Sequence, residues 1–243
     1  MIRIENLFYR YEGEPDCIRG ISLDIEEGTH MALIGPNGCG KTTFVKHLNA
    51  LLLPRAGAVC VDGMMTTDAA SVREIRRRVG MVFQNPDSQI IGMTVEEDVA
   101  FGPGNLALPS AEIRRRVDEC LAMVEMTGFE KRPPHTLSGG EKRLLSIAGV
   151  LAMNPRYIAF DEPTAYLDPA AKQRILEIIR QLNRAGMAII HIAHDMQDVA
   201  GSDRIVVMDR GQVLLTGTPV EVFEKADLLK AVGLDCLPGR CGV

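Results

Sequence analysis

Gly35-Pro36-Asn37-Gly38-Cys39-Gly40-Lys41-Thr42 fits the spacing G-x-x-x-x-G-K-[ST], and the chemistry of that spacing is phosphate binding. Glycines let consecutive backbone N–H groups converge on phosphate oxygens, Lys41 adds charge at the β- and γ-phosphates, and Thr42 offers a hydroxyl to Mg²⁺. Asp161-Glu162 follows the apolar run 157–160, and the carboxyl end of such a strand delivers side chains beside bound phosphates. Asp161 is suited to hold Mg²⁺ directly or through its water, and Glu162 to polarise an attacking water as general base. Leu137-Ser138-Gly139-Gly140-Glu141 adds a third feature. Amide donors exposed after two glycines at a helix start, with a Ser hydroxyl beside them, form a second phosphate-binding surface. The three together point to binding and hydrolysis of a nucleoside triphosphate.

The elements that must position these groups follow from apolar periodicity. The run 30–34 ends at the Gly-rich loop and is followed by helical spacing over 41–52, so the loop joins a strand buried on both faces to a helix. Runs 79–83, 157–160, 188–192 and 204–208 repeat that character. Helices between several of them imply right-handed crossovers and a largely parallel sheet. Segments 2–11 and 21–25 alternate apolar and polar residues, as a small antiparallel addition does. The best-marked helix has Asp168 as N-cap and Pro169 at its first position, stops at Gly186, and carries Ile175, Ile178, Ile179 and Leu182 as one stripe. From about 85 to 153 there are helical patterns without a convincing strand; Ile113, Val117, Leu121 and Val124 recur behind an expected N-cap at Ser110. Arg210-Gly211 suits a hairpin turn, and Thr218-Pro219-Val220-Glu221 a capping box. The expected fold is α/β: a P-loop NTPase core of residues 1–84 and 154–217 with a mostly parallel sheet and a small N-terminal antiparallel β addition, an inserted α-helical subdomain at 85–153, and a C-terminal helical tail at 218–243.

Composition narrows the partners. A net charge of −5 and a pI of about 5.6 provide no general attraction to a polyanion, so no nucleic-acid partner is expected. The basic runs Arg76-Arg77-Arg78 and Arg114-Arg115-Arg116 read as solvated helix faces. Cysteines at 17, 39, 60, 120, 236 and 241 form no C-x-x-C pair, which fits reduced thiols rather than zinc or a disulfide framework. No stretch reaches the roughly 18 apolar residues that span a bilayer, and the opening residues lack a secretory apolar region. Any path across a membrane is then expected from other chains.

With these motifs on nearly all of its length, the chain resembles the nucleotide-binding subunits of ABC transporters, whose core is RecA-like. The resemblance implies that ATP and Mg²⁺ are bound and that the signature at Ser138, Gly139 and Gly140 faces the phosphate loop of a second ATPase subunit, a copy or a paralogue. It implies a nucleotide set of Gly35, Pro36, Asn37, Gly38, Cys39, Gly40, Lys41, Thr42 and Thr43. Gln84 is similar to the Q-loop glutamine, a Mg²⁺ contact alongside Thr42 and Asp161, and His194 to the switch histidine that contacts the γ-phosphate. Asp168 resembles the D-loop aspartate while capping its helix, and Tyr11 the aromatic that stacks on adenine, with Tyr9 as competitor. A P-loop kinase would lack the 137–140 signature and the Glu162 base.

Residues 84–89 and 94–103, with Ile147-Ala148-Gly149-Val150-Leu151-Ala152-Met153, resemble the energy-coupling-factor branch. That branch implies a transmembrane coupling protein and a substrate-binding membrane protein as partners, at the cytoplasmic face of the membrane. Asp161-Glu162-Pro163-Thr164 and the short C-terminus favour the cobalt/nickel type; a vitamin such as biotin is the alternative cargo, and a soluble non-transport ABC ATPase the more distant one. Three positions depart from the family pattern: Glu141 where Gln is usual, Leu144 where Arg is common, and Cys39 where Ser or Ala is common. Glu141 satisfies the capping box as Gln would. Cys39, beside Lys41 and a helix start, is expected to have a depressed thiol pKa and to be blocked by alkylation unless ATP protects it.

Overall fold

The computed structural model describes residues 1–234; residues 235–243 of the expected tail, Cys236 and Cys241 among them, lie outside them. The expected α/β arrangement is present as two sheets. The antiparallel sheet has the order β2-β1-β4-β5, from β1 (Ile2–Tyr9), β2 (Ile18–Ile25), β4 (Ala56–Val61) and β5 (Met64–Met65). It is twice the expected addition, because β4 and β5 carry little strand signal. The sequence of β4 opens Ala-Gly-Ala, and an internal Gly normally weakens a strand. Its reason lies on β1, where Asn6 at φ +46° forms a bulge that shifts the register between Ile4 and Leu7. The bulge pushes backbone toward β4, so a Cβ on Gly57 would lie 2.1 Å from the Asn6 carbonyl oxygen.

The second sheet has the order β10-β9-β3-β8-β7-β6. Strands β3 (His30–Ile34), β6 (Val79–Val82), β7 (Tyr157–Asp161), β8 (Ala188–Ile192) and β9 (Arg204–Asp209) pair in parallel. Every residue of β3, β7 and β8 is buried, as the unalternating runs required. β10 (Gln212–Gly217) turns back antiparallel through Arg210 and Gly211, both at positive φ, the backbone a two-residue hairpin needs. Apolar residues of the two sheets meet around α1 (Lys41–Leu48), with Phe44, Leu48 and Tyr157 inside. That helix is shorter than its apolar spacing suggested: Asn49 caps it and Ala50 follows at φ +55°.

On the far side of β6 and β7, α3 (Val95–Asn105), α4 (Ser110–Met123) and α5 (Gly139–Leu151) pack with α6 (Pro169–Arg184) into a second cluster that includes Val82 and Phe160. Thr94 and Glu97 close a capping box on α3. For α4 the expected Ser110 cap is corrected. The Pro109 carbonyl accepts the bond from Ile113 N–H at 3.0 Å, so Pro109 occupies the cap and Ser110 is the first helical residue, its side chain capping nothing. Asp168 accepts from the N–H groups of Ala170 and Ala171, both at 3.0 Å, and caps α6 as expected. Short helices α7 (Met196–Val199), α8 (Pro219–Phe223) and α9 (Ala226–Ala231) cover β9. The 70–78 region supplies α2 (Val72–Arg78), whose Arg78 reaches Asp62 at 2.8 Å and ties the antiparallel sheet to the end of β6.

Inside the parallel sheet His30 and His191 stack with ring centroids 5.7 Å apart. Neither His191 nitrogen nor His30 Nε2 has a hydrogen-bond partner among the described residues. Burial holds His30 down at about 4, with Asp203 opposing and Arg180 adding to the shift, and burial holds His191 at about 3, helped by His30 and Lys172. Between those values and the ordinary 6.5 the unfolded chain takes up protons that the folded chain refuses. Stability therefore falls as pH is lowered through 6.5. Replacing His191 with Leu is expected to flatten the loss of stability between pH 6.5 and 4.5 by roughly 1 kcal/mol per pH unit, read from denaturant melts at each pH; an unchanged slope would refute a neutral, unpartnered His191.

Candidate active site

The parallel order brings the carboxyl ends of β3, β6, β7 and β8 to one edge of the sheet, and each contributes a polar group there. After β3 the chain enters the phosphate loop. Gly40, at φ +106°, admits no side chain, because a Cβ would lie 2.8 Å from the Cys17 carbonyl oxygen. Lys41 is buried and spans the inside of the loop, donating from Nζ to the carbonyls of Gly35 at 2.7 Å and Pro36 at 3.0 Å. Thr42 donates its hydroxyl to Asp161 Oδ1 at 2.9 Å. Burial raises the Asp161 carboxyl, the Thr42 bond lowers it, and the neighbouring Glu162 raises it further.

Glu162 sits just past β7 in the left-handed region at φ +50°, a conformation that costs a non-glycine residue about 1 kcal/mol or more and collects at functional sites. The turn aims its carboxylate between the neighbouring strand ends. Oε2 accepts from Gln84 Nε2 at 2.6 Å and Oε1 meets His194 Nε2 at 2.5 Å. Gln84, Glu162 and His194, expected to act together, are thus one hydrogen-bonded cluster. His194 is steadied from below: Asp195 caps α7, Lys172 of α6 bridges Asp195 and Asp198 at 2.7 and 2.8 Å, and Thr164 donates to Asp198 at 2.9 Å.

Gln84 is held by a residue that spacing did not single out. Arg143, on α5 and 2% exposed, donates from its two terminal nitrogens to the carbonyls of Phe83 and Gln84. The signal available was a second cation, next to Lys142, where the apolar run of that helix begins. Leu144 is buried in the helical cluster, so that position packs and makes no polar contact.

Ser138, Gly139 and Gly140 lie elsewhere. With Tyr166, Asp168 and Arg174 they line a separate groove, and no hydrogen bond joins them to residues 35–42 or Glu162. Glu141 returns to the Ser138 N–H at 2.7 Å while the Ser138 hydroxyl accepts from the Glu141 N–H at 3.3 Å, which completes the capping box. Tyr11 touches the other end of the loop region, its hydroxyl 3.2 Å from Thr43 Oγ1. Tyr9 packs edge-on against His47 and into the core, which leaves Tyr11 the more exposed aromatic.

The expectation for Cys39 is overturned. Its side chain is 4% exposed, folded under the loop rather than facing solvent, and burial pushes the thiol up more strongly than Lys41 and its hydrogen bonds pull it down. A raised, covered thiol is a poor nucleophile.

A phosphate loop, a carboxylate pair at a strand end and a helix-start signature on a parallel sheet define an ATP-binding cassette. Residues 18–165 match the family model described as ABC transporter, and the chain belongs to that family as an ATPase. It is 54% identical over 235 residues to the cobalt import ATP-binding protein CbiO of Syntrophus aciditrophicus, covering 96% of this chain and 84% of the relative. It is 53% identical over 223 residues to the energy-coupling factor transporter ATP-binding protein EcfA1 of Symbiobacterium thermophilum, covering 91% and 78%. The solved structure of cbiO1 from Clostridium perfringens, described as part of the ABC transporter complex cbiONQ, superposes with a TM-score of 0.85 at 35% identity over 95% of this chain and 93% of that one. A dimeric cassette in a post-hydrolysis state, bound to ADP and Pi, superposes at 0.81 with 30% identity over 90% and 99%.

Two outcomes follow from this geometry. Iodoacetamide at pH 8 should leave Cys39 unlabelled in the folded protein and modify it only in denaturant, as read by peptide mass mapping; rapid native labelling would contradict its burial. Glu141→Gln preserves both arms of the box, so ATPase turnover should stay within about tenfold, or about 1.4 kcal/mol in barrier.

Proposed function

We propose that this chain is the ATP-hydrolysing subunit of an energy-coupling-factor importer, and that two such subunits close around ATP. The observation that carries the hydrolytic half is the Gln84–Glu162–His194 cluster beside Lys41 and Thr42. Glu162 is the general base that orients and deprotonates the attacking water, while His194 and Gln84 hold it in place and present donors toward the γ-phosphate. Lys41, Gly38, Gly40 and the other loop residues 35–43 bind the phosphates, and Tyr11 stacks on the adenine. Ser138, Gly139 and Gly140 complete the site of the partner subunit, with Asp168 at the same interface.

The Thr42–Asp161 pair, a hydroxyl and a carboxylate 2.9 Å apart, is a hard-oxygen donor set of the kind Mg²⁺ prefers. Among the described residues no group of three or more His, Cys, Asp or Glu could hold a metal, so phosphate and water oxygens would fill the remaining positions, with Gln84 adjacent. Bound there, Mg²⁺ supplies charge neutralisation at the β- and γ-phosphates.

Membrane partners fit a groove between β6, α3 and α5, lined by Gly80, Phe83, Ile91, Phe101, Gly102 and Met153. Ile91, Met93 and Phe101 are exposed, and no helix among the described residues is long and apolar enough to cross a membrane. The transmembrane coupling protein would dock there, placing this subunit at the cytoplasmic face with a substrate-binding membrane protein in the same complex. The CbiO relative is named for cobalt import, which favours cobalt or nickel as cargo; a vitamin stays the second reading, carried by the energy-coupling-factor resemblance of residues 84–89 and 94–103.

Glu162→Gln is expected to retain ATP binding, to lose about a hundredfold or more in turnover, and to accumulate an ATP-bound dimer on size exclusion. Lys41→Ala should weaken nucleotide binding itself. A Glu162→Gln protein that stays monomeric with saturating ATP would sink the two-subunit reading.

A further inference from the structure

Arg143 is a buried cation without an ion pair among the described residues. Its Nε is also buried without a partner, and its two terminal nitrogens each donate to one of two consecutive main-chain carbonyls, those of Phe83 and Gln84. Burying a guanidinium against neutral acceptors is costly where an apolar side chain of similar length would fill the space. Something must offset that cost, and the position of the two carbonyls says what. Gln84 has its main chain on α5, through Arg143, and its side chain on Glu162 at 2.6 Å. The same helix grips the following residues twice more: Lys142 Nζ meets Asp87 at 2.6 Å, and the Ser146 carbonyl accepts weakly from Gln89 Nε2 at 3.5 Å. α5 begins at the Ser138 cap, five residues before Arg143, a rise of about 7.5 Å. One short rigid rod therefore runs from the signature to the backbone of Gln84.

We propose that Arg143 is a positioning residue whose guanidinium fork fixes Gln84 to the signature helix, so that a displacement of Ser138, Gly139 and Gly140 is passed to Glu162 of the same subunit. A planar fork can hold two adjacent carbonyls in a fixed relation; an ammonium holds them as a point charge without that geometry. The coupling rests on the two-subunit reading above, because only there does the signature touch a ligand.

The test uses the full chain with Arg143→Met and Arg143→Lys. Both are expected to melt cooperatively and to keep MgATP affinity within about threefold, while kcat falls by about 10- to 100-fold, the loss that misplacement of a reacting group by about 1 Å brings. Lys, which keeps the charge, should not restore kcat. Hydrogen exchange should show faster amide exchange over residues 83–89 in both variants, with β7 unchanged. In the Glu162→Gln background ATP should protect residues 83–89, and adding Arg143→Met should remove that protection although the dimer still forms. Wild-type kcat in the Met variant, or full rescue by Lys, would overturn the fork; so would a kcat loss that vanishes when corrected for folded fraction. Unchanged protection of 83–89 in the dimeric double variant would overturn the coupling. Glu162→Gln remaining monomeric would instead strike the two-subunit reading and leave the kcat and exchange results to judge Arg143 alone.

Discussion

The carboxylate of Glu162 needs donors on both oxygens, and it takes them from segments far apart in the chain, Gln84 on one side and His194 on the other. That is possible because β7 lies between β6 and β8 in the sheet and all three run in the same direction. Reversing any one strand would send its following residue to the opposite edge. The parallel arrangement in turn demands covering layers on both faces, so the helical cluster and the antiparallel sheet are requirements of the site as much as of the core. Hydrogen bonds to charged groups contribute about 1.5–3 kcal/mol each, enough to hold the strained backbone of Glu162 in its left-handed turn.

The remaining polar groups at this edge are satisfied in the same local way. Lys41 bonds its own loop, Thr42 bonds Asp161, and Asp161 is buried beside Glu162. Each of these bonds occupies a donor that a polyphosphate could also use. Nucleotide binding is then an exchange of partners on a formed scaffold, and the net affinity comes from the difference between the two sets of bonds rather than from their sum. The raised thiol of Cys39 belongs to this scaffold: it fills space under the loop, where the Lys41 charge is not enough to ionise it.

What could be read in the sequence was what is encoded locally. The phosphate loop, the cap at Asp168 with Pro169, and the Thr218 box each depend on a few adjacent residues, and the buried strands announced themselves by unbroken apolar runs. β4 escaped because its glycine answers a bulge some fifty residues earlier on another strand, and Ser110 misled because Pro109 could supply the first helical carbonyl just as well. The fate of Cys39 depended on which way one side chain turned, which spacing cannot tell. Arg143 escaped for a related reason: its partners are main-chain carbonyls, which leave no pattern in side-chain identity.

The start of α5 shows how one short segment carries competing demands. Its capping box uses the N–H groups of Ser138 and Glu141 internally, leaving those of Gly139 and Gly140 as first-turn donors for a ligand. Glu141 makes that box with a carboxylate held below its usual range by the bonds from Ser138, so it is charged at neutral pH. A negative group at a helix N-terminus stabilises the helix, yet it also offsets the positive end that would attract a phosphate. Gln in its place would keep the hydrogen bonds and drop the charge. The residues that answer this are Arg174, in the same groove, and the two glycines, whose small size lets a phosphate approach the amides directly. The helix can thus be firmly capped and, in the proposed two-subunit arrangement, still receptive, because the cap leaves the N–H groups of Gly139 and Gly140 to a ligand.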